Sequence, residues 1–248
     1  MSENRKFSVL MSVYVKENPV FLEEAVESIL NQTLKPSEVV LVEDGPLTPE
    51  LYQVLEKLEA QSSIPIKRCP LEQNRGLGLA LQYGVLQCQY DVIARMDTDD
   101  IAVEDRFEQQ FELMEKENLD LLGGHIAEFI DQPDEIVSYR RVPTKHEDII
   151  AYQRMRSAFN HMTVMFKKEM VLKAGNYEDG LYMEDDLLWL NMISAGARTG
   201  NVDQILCKVR VGAGMFERRG GLRYLKLYRQ ARQRMHARGQ ISYGEYLK

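Results

Sequence analysis

The sequence predicts an α/β fold: a mostly parallel central sheet flanked by helices, followed by a C-terminal amphipathic helix. Three observations carry this. Apolar runs of strand length alternate with stretches of helical period through the first hundred residues. The loops between them are short and rich in turn formers, which suits parallel strands joined by helical crossovers. A chain of 248 residues with 44% hydrophobic and 28% charged side chains has enough apolar mass for a packed core, which excludes a disordered chain.

Each element has its own warrant. Residues 7–15 are an apolar run closed by a polar loop, the pattern of a buried strand. Pro19 suits the first turn of a helix, and Phe21, Leu22, Ala25, Val26, Ile29 and Leu30 follow at helical spacing until Pro36. A second strand, 38–42, stops at Glu43-Asp44-Gly45-Pro46. Thr48 and Pro49 read as an N-cap and first-turn proline for a helix marked by Leu51, Val54, Leu55 and Leu58. Residues 64–69 form a third strand and 79–88 a helix. Residues 91–96 form a fourth strand that ends in Asp97-Thr98-Asp99-Asp100. Ligands of parallel sheets lie beyond the carboxyl ends of the strands. Ser12, Asp44 and Asp97 are therefore expected to share one crevice.

The second half is less regular. Residues 120–130 and 135–139 suit a hairpin around Gln132-Pro133-Asp134. Residues 146–153 read as a helix, 163–166 as a short strand, 187–194 as a helix and 206–211 as a last strand. No repeat, low-complexity tract or linker divides the chain. One domain over 1–221 is predicted, with halves meeting near residue 100, followed by a tail over 222–248.

Cys69, Cys88 and Cys207 are odd in number and widely spaced, which argues against a disulfide framework or zinc site and suits a reducing cytoplasm. The run at 7–15 is too short to cross about 30 Å of hydrocarbon. The net charge of −7 is unevenly spread. From residue 205 onward eleven Lys and Arg stand against Glu217 and Glu245, a surplus of nine, which leaves −16 on the preceding chain. Such an acidic body repels nucleic-acid phosphate, so nucleic acid is excluded as a partner. In the tail, Leu222, Leu225, Tyr228, Ala231 and Met235 form an apolar stripe among Arg223, Lys226, Arg229, Arg232, Arg234 and Arg238. A basic amphipathic helix of this kind lies on anionic membrane or packs its stripe on the body; the pattern allows both.

Asp97-Thr98-Asp99-Asp100 packs three carboxylates into four residues, and like charges this close call for a compensating cation. Oxygen-only ligands suit Mg2+ or Mn2+. Asp97, Asp99 and Glu108 fit an EF-hand's first, third and twelfth positions, but Ile101 and Ala102 break the pattern and exclude a calcium loop. A solvated helix N-terminus is the bland alternative. Glu43-Asp44-Gly45-Pro46 equally suits plain turn chemistry. Arg75-Gly76-Leu77-Gly78 lacks the remainder of a dinucleotide or P-loop fingerprint, and reads as a turn opening a helix with Arg75 facing the crevice. Glu184-Asp185-Asp186 supplies a general base or merely acidic residues at a helix start. His161 stands alone before a strand, and a lone histidine is more often structural than catalytic.

Taken together, these segments resemble family 2 glycosyltransferases of the GT-A fold. The match runs in order through Phe7-Ser8-Val9-Leu10-Met11-Ser12-Val13-Tyr14, Ser28-Ile29-Leu30-Asn31-Gln32-Thr33, Val39-Val40-Leu41-Val42-Glu43-Asp44-Gly45, Asn74-Arg75-Gly76-Leu77-Gly78-Leu79-Ala80, Asp97-Thr98-Asp99-Asp100 and Glu184-Asp185 with Leu188-Trp189. Asn160-His161-Met162-Thr163-Val164-Met165, Arg210-Val211-Gly212 and Arg218-Arg219-Gly220-Gly221 are similar to the subgroup that builds capsule, exopolysaccharide and O-antigen repeat units. Glu43 stands where Asp is more usual, and Glu104 where a Pro often follows the acidic motif.

The resemblance implies inverting, metal-dependent transfer from a UDP-sugar to a saccharide acceptor carried on a polyprenyl diphosphate. It places the nucleotide sugar on the half up to residue 100 and the acceptor on the half from 101 to 221. It implies Asp185 as catalytic base, and Asp99 with Asp97 or Asp100 as ligands of Mn2+ or Mg2+. Ser12, Tyr14, Asp44, Arg75 and Asp97 are implied on the nucleotide side. His161, Glu184, Arg210, Arg218 and Arg219 are implied on the acceptor and phosphate side. The Gln-x-x-Arg-Trp pattern of processive synthases is absent, which implies one sugar per acceptor. A cytoplasmic enzyme at the inner face of the plasma membrane is expected. The donated sugar stays open among galactose, glucose and their N-acetylamino forms, with galactose first from the subgroup. Two rivals remain: a sugar-nucleotide nucleotidyltransferase, disfavoured because the loop after the first strand lacks glycine, and a non-catalytic nucleotide- or glycan-binding module.

Overall fold

The computed structural model describes residues 5–179, 183–212 and 221–247, with the side chains of 221–223 excepted. A single sheet runs through both halves of the sequence. Its first four strands are β1 (Phe7–Val13), β2 (Glu38–Glu43), β3 (Ile66–Pro70) and β4 (Val92–Arg95). They lie in the order β3-β2-β1-β4 and are all parallel. The helices between them are α1 (Pro19–Leu30), α2 (Pro49–Gln61) and α3 (Leu77–Gln87).

Local chemistry sets the boundaries. Asn18 accepts the Val20 N–H at 2.8 Å and Thr48 the Leu51 N–H at 3.3 Å, each just before a first-turn proline. Gly76 precedes α3 with φ +85°, a conformation that suits glycine, so the helix starts two residues earlier than its apolar spacing suggests.

The second half adds β5 (Ile101–Ala102), α4 (Arg106–Glu117), β6 (Leu121–Phe129), β7 (Ile136–Arg140), α5 (His146–Gln153), β8 (Met165–Lys167), α6 (Lys168–Lys173), α7 (Glu184–Ser194) and β9 (Thr199–Arg210). Strand β8 joins β4 and β6 antiparallel to both, β9 runs parallel to β6, and β5 closes the edge antiparallel to β9. The sheet is therefore mixed beyond β4. The expected hairpin is β6–β7.

Of these second-half elements, β5, α4 and α6 escape the sequence reading. The last strand is also longer than expected, because Thr199–Asn201 pair with Leu121–Gly123 although they lack an apolar alternation. A one-turn 3-10 helix, His161–Thr163, occupies the start of the strand expected at 163–166.

Alternate residues of β1 face opposite layers, as the strand period requires. Phe7, Val9, Met11 and Val13 pack with α1, α2 and α4. Leu10 packs with Val40, Val42 and the apolar faces of α3 and α7. Both faces of the strands are covered, so they read as unbroken apolar runs.

The chain then forms α8 (Gly221–Ala237) and α9 (Tyr243–Tyr246). Met235 and Ile241 pack on Leu187 and Leu190 of α7, with Tyr246 against them. Arg238 grips Glu178 with two hydrogen bonds of 2.6 and 2.9 Å, and Arg234 donates to the Asp179 carbonyl at 2.9 Å. The distal half of the tail thus packs on the body. The stripe does not continue inward along the whole helix: Leu225 is 60% exposed. The side chains of Leu222 and Arg223 lie outside the described residues.

Candidate active site

The parallel register of β1, β2 and β4 brings their carboxyl ends to one edge of the sheet. Asp44, buried just beyond β2, is the staple of this edge. Its carboxylate accepts the Arg75 N–H at 2.7 Å, the Gly76 N–H at 3.0 Å and the Asn74 side-chain amide at 2.9 Å. Three of about four lone-pair directions are used, which leaves one for a ligand donor. Gly45 must be glycine here: its φ is +86°, and a Cβ would come within 2.6 Å of the Asn74 backbone nitrogen. Arg75 itself is exposed.

Ser12 and Tyr14 follow β1. The Thr98 hydroxyl sits 3.3 Å from the Ser12 carbonyl and 2.6 Å from a Glu17 carboxylate oxygen, tying the β1 loop to the acidic motif after β4. Asp97, Asp99 and Asp100 each place a carboxylate oxygen within 4.8 Å of the others. Asp97 is held by Arg95 through a two-pronged ion pair. Arg95 lies two residues back on the same strand and is buried, so the fork is aimed before any ligand arrives.

Asp100 accepts the Arg210 backbone N–H at 3.0 Å. Burial, then the Asp97 and Glu17 charges, push the Asp99 carboxyl up to about 7. Burial and its two acidic neighbours hold Asp100 well above the carboxylate range. Among the described residues no cationic side chain lies within 4 Å of either. Hard oxygen donors of which only Asp97 has a cationic partner fit a small divalent cation such as Mg2+ or Mn2+.

The second acidic cluster opens α7. Burial, reinforced by Asp186 and Glu184, holds the Asp185 carboxyl well above its ordinary value. Burial also raises Glu184 and Asp186. Asp186 accepts the Gln153 side-chain amide at 2.7 Å. The first turn of α3 presses on this helix, since a Cβ on Gly78 would meet the Glu184 Cβ at 3.0 Å. The first turns of α3 and α7 are therefore in direct contact.

His161 hydrogen-bonds the Tyr177 hydroxyl at 2.9 Å, with its ring 5.8 Å from that of Trp189. Burial, with Arg95 nearby, holds its imidazole well below the usual range, so it stays neutral.

One expected phosphate-side residue is placed differently. The Arg210 guanidinium donates to Glu24 at 2.6 Å and stacks between Phe21 (3.8 Å) and Phe129 (4.6 Å). The side chain ties β9 to α1 and β6 and is not free to meet an acceptor phosphate. Arg218 and Arg219 lie outside the described residues.

Sequence reasoning missed Arg95, Glu17, Tyr177 and Gln153. Only Arg95 left a signal, a cation inside an apolar strand two residues before an aspartate.

Comparisons with known proteins identify the family and the fold. The chain is 43% identical, over 89% of its length and 82% of the relative's, to the amylovoran biosynthesis glycosyltransferase AmsE of Erwinia amylovora. It is 36% identical, over 98% of its length and 87% of the relative's, to an Escherichia coli UDP-Gal:alpha-D-GlcNAc-diphosphoundecaprenol beta-1,3-galactosyltransferase. Its fold matches the mannosyltransferase PcManGT of Pyrobaculum calidifontis, solved with GDP-Man and Mn2+. That match has a TM-score of 0.70 at 15% identity and covers 93% of this chain and 64% of that one. The architecture is the GT-A fold. The Glycosyl transferase family 2 profile covers residues 8–176, from the first strand through the acidic motif of β4 to the loop before the base helix. With strand ends, acidic clusters and relatives in agreement, this chain belongs to glycosyl transferase family 2 and is a glycosyltransferase.

Proposed function

We propose that the chain moves one sugar from a UDP-sugar, with inversion, onto a saccharide carried by a polyprenyl diphosphate in cell-surface polysaccharide synthesis. The observation that carries this reading is the pairing of two carboxylate clusters with different surroundings. One, at the end of β4, is a hard-oxygen ligand set. The other, on the first turn of α7, holds Asp185, whose burial beside Asp186 and Glu184 raises its proton affinity above that of an ordinary carboxylate, as a general base requires. The relative that uses UDP-Gal and a GlcNAc-diphosphoundecaprenol supports the donor and acceptor classes, with galactose the first sugar to try.

In this reading Asp185 accepts the proton of the acceptor hydroxyl as its oxygen attacks the anomeric carbon. The bond from that carbon to the diphosphate breaks, and its electron pair leaves on UDP. The single displacement inverts the configuration. Asp99, with Asp97 or Asp100, would hold Mn2+ or Mg2+, which when bound supplies Lewis-acid stabilisation of the departing diphosphate. Arg95 fixes the orientation of Asp97. Asp44 offers its remaining lone pair to the uracil N–H, and Ser12, Tyr14 and Arg75 border the nucleotide. Neutral His161 and Glu184 face the acceptor side.

The enzyme acts at the inner face of the membrane. Exposed Leu225, Lys226 and Arg229 on α8 support a peripheral contact with anionic lipid.

The test is a UDP-release assay across UDP-galactose, UDP-glucose and their N-acetylamino analogues, with Mn2+ and a short-chain α-GlcNAc diphosphate lipid. Transfer with one product linkage of inverted configuration is expected. Release of pyrophosphate when UTP and a sugar 1-phosphate are supplied instead would point to the nucleotidyltransferase, and UDP binding without transfer to the binding module.

A further inference from the structure

Beside the base helix lies a cavity that the mechanism above does not use. It opens between α5, α7 and α8 and measures about 220 Å3. That is many times the 10–15 Å3 that admits one water, and short of the 300–1,000 Å3 of drug-sized sites. A single pyranose ring fits this range better than an oligosaccharide. Asp186 lines it, one residue after Asp185 and about 100° round the same helix turn. An occupant of the cavity meets the residue that follows the proposed base in sequence.

Its polar lining is incompletely satisfied. Gln153 donates to Asp186 through Nε2 and accepts the Ala158 N–H through Oε1, both at 2.7 Å, so the amide is locked and the carboxylate position fixed. Arg232 of α8 is only 5% exposed. It donates to the carbonyls of Arg154 and Glu245, and its Nε has no partner. Among the described residues no carboxylate lies within 4 Å of Arg232, and no cation within 4 Å of Asp186. The Asp186 carboxylate is engaged by Gln153 and Ser157 and feels the Arg140 and Arg232 charges, so the Arg232 Nε is the buried polar group left without a partner, which costs free energy unless a ligand engages it. Arg156 is exposed at the rim, and Tyr228 offers a half-buried aromatic face.

We propose that this cavity seats the acceptor's terminal sugar. Its hydroxyls meet Asp186 and Arg232, its apolar face rests on Tyr228, and the linked diphosphate meets Arg156 at the rim. The inference rests on the transferase reading and deepens it. Helix α8, which lies beyond the residues matched by the family, becomes a wall of the substrate site and a determinant of acceptor choice.

The probe is a short-chain α-GlcNAc diphosphate lipid, with the UDP-sugar that wild-type protein turns over. Asp186→Asn keeps the shape and the Gln153 bond; Arg156→Ala alters only the rim and keeps the test valid if the first variant misfolds. Each is expected to raise the acceptor KM tenfold or more with the donor KM within twofold, and to keep the thermal shift produced by UDP. An acceptor KM within twofold of wild type in the folded variants overturns the proposal and leaves the transferase reading standing. A parallel rise in donor KM overturns it too, because the effect then belongs to the shared crevice. Wild-type protein that neither transfers to this lipid nor shows saturation-transfer NMR contact with it overturns both.

Discussion

At the scale of single residues, two aspartates decide most. Asp185 sits in a site that penalises its charge, so in the proposed role of base it would work only once pH has passed its raised value. The acid limb of kcat/KM is therefore expected above the ordinary aspartate value of about 4, with activity rising as the carboxyl ionises. Asp185→Asn should lower kcat by roughly 10²–10⁴ and leave UDP affinity unchanged, read by steady-state kinetics and a UDP titration. Asp97 neutralises a buried guanidinium. Asp97→Asn leaves Arg95 unpaired and should cost about 3 kcal/mol in urea unfolding, the low end for a broken buried pair because the Asp97 side chain is 27% exposed. Both aspartates were legible in the sequence, since clustered carboxylates at strand and helix ends stand out. Arg210 misled because its type suggested phosphate, whereas packing against Phe21 and Phe129 is a long-range fact no local pattern carries.

At the scale of elements, legibility followed burial pattern. Strands β1 and β2 announce themselves because both faces are covered and every position is apolar or nearly so. Helices α1 and α2 carry caps and first-turn prolines. Helix α4 was missed because its buried face includes Arg106 and Gln110, polar residues that pair with each other at 2.9 Å and reach the Arg95 and Thr163 carbonyls. A hydrophobicity pattern cannot register a buried face made of satisfied polar groups. The two-residue β5 is too short to have a period at all. Helix α8 was legible as amphipathic, but its partner was not. Met235 fills the small cluster with Leu187, Leu190 and Ile241. Met235→Ala should therefore cost about 2–5 kcal/mol of stability, measured by denaturant unfolding.

At the scale of the whole molecule, the net charge of −7 divides into an acidic body and a basic end. Part of that division is internal, because Arg234 and Arg238 meet Glu178 and Asp179 of the body. Lys226 and Arg229 face solvent beside Leu225, whereas Arg232 is buried. Flotation with vesicles should show binding when anionic lipid is present, weakening at 0.5 M salt, since each cation near such a surface contributes about 1 kcal/mol that ions screen. Binding equal on neutral vesicles would remove the electrostatic part of the membrane proposal. One packing detail has a practical consequence at this scale. The chain's single tryptophan, Trp189, lies fully buried on α7, the helix that carries Asp185 in its first turn, among the rings of Phe159, His161 and Tyr177. Light absorbed near 295 nm is therefore emitted from one place only, the underside of the chemistry. The protein carries its own optical reporter, and changes in its colour or intensity on adding nucleotide, cation or acceptor would track events at the base helix without any attached label.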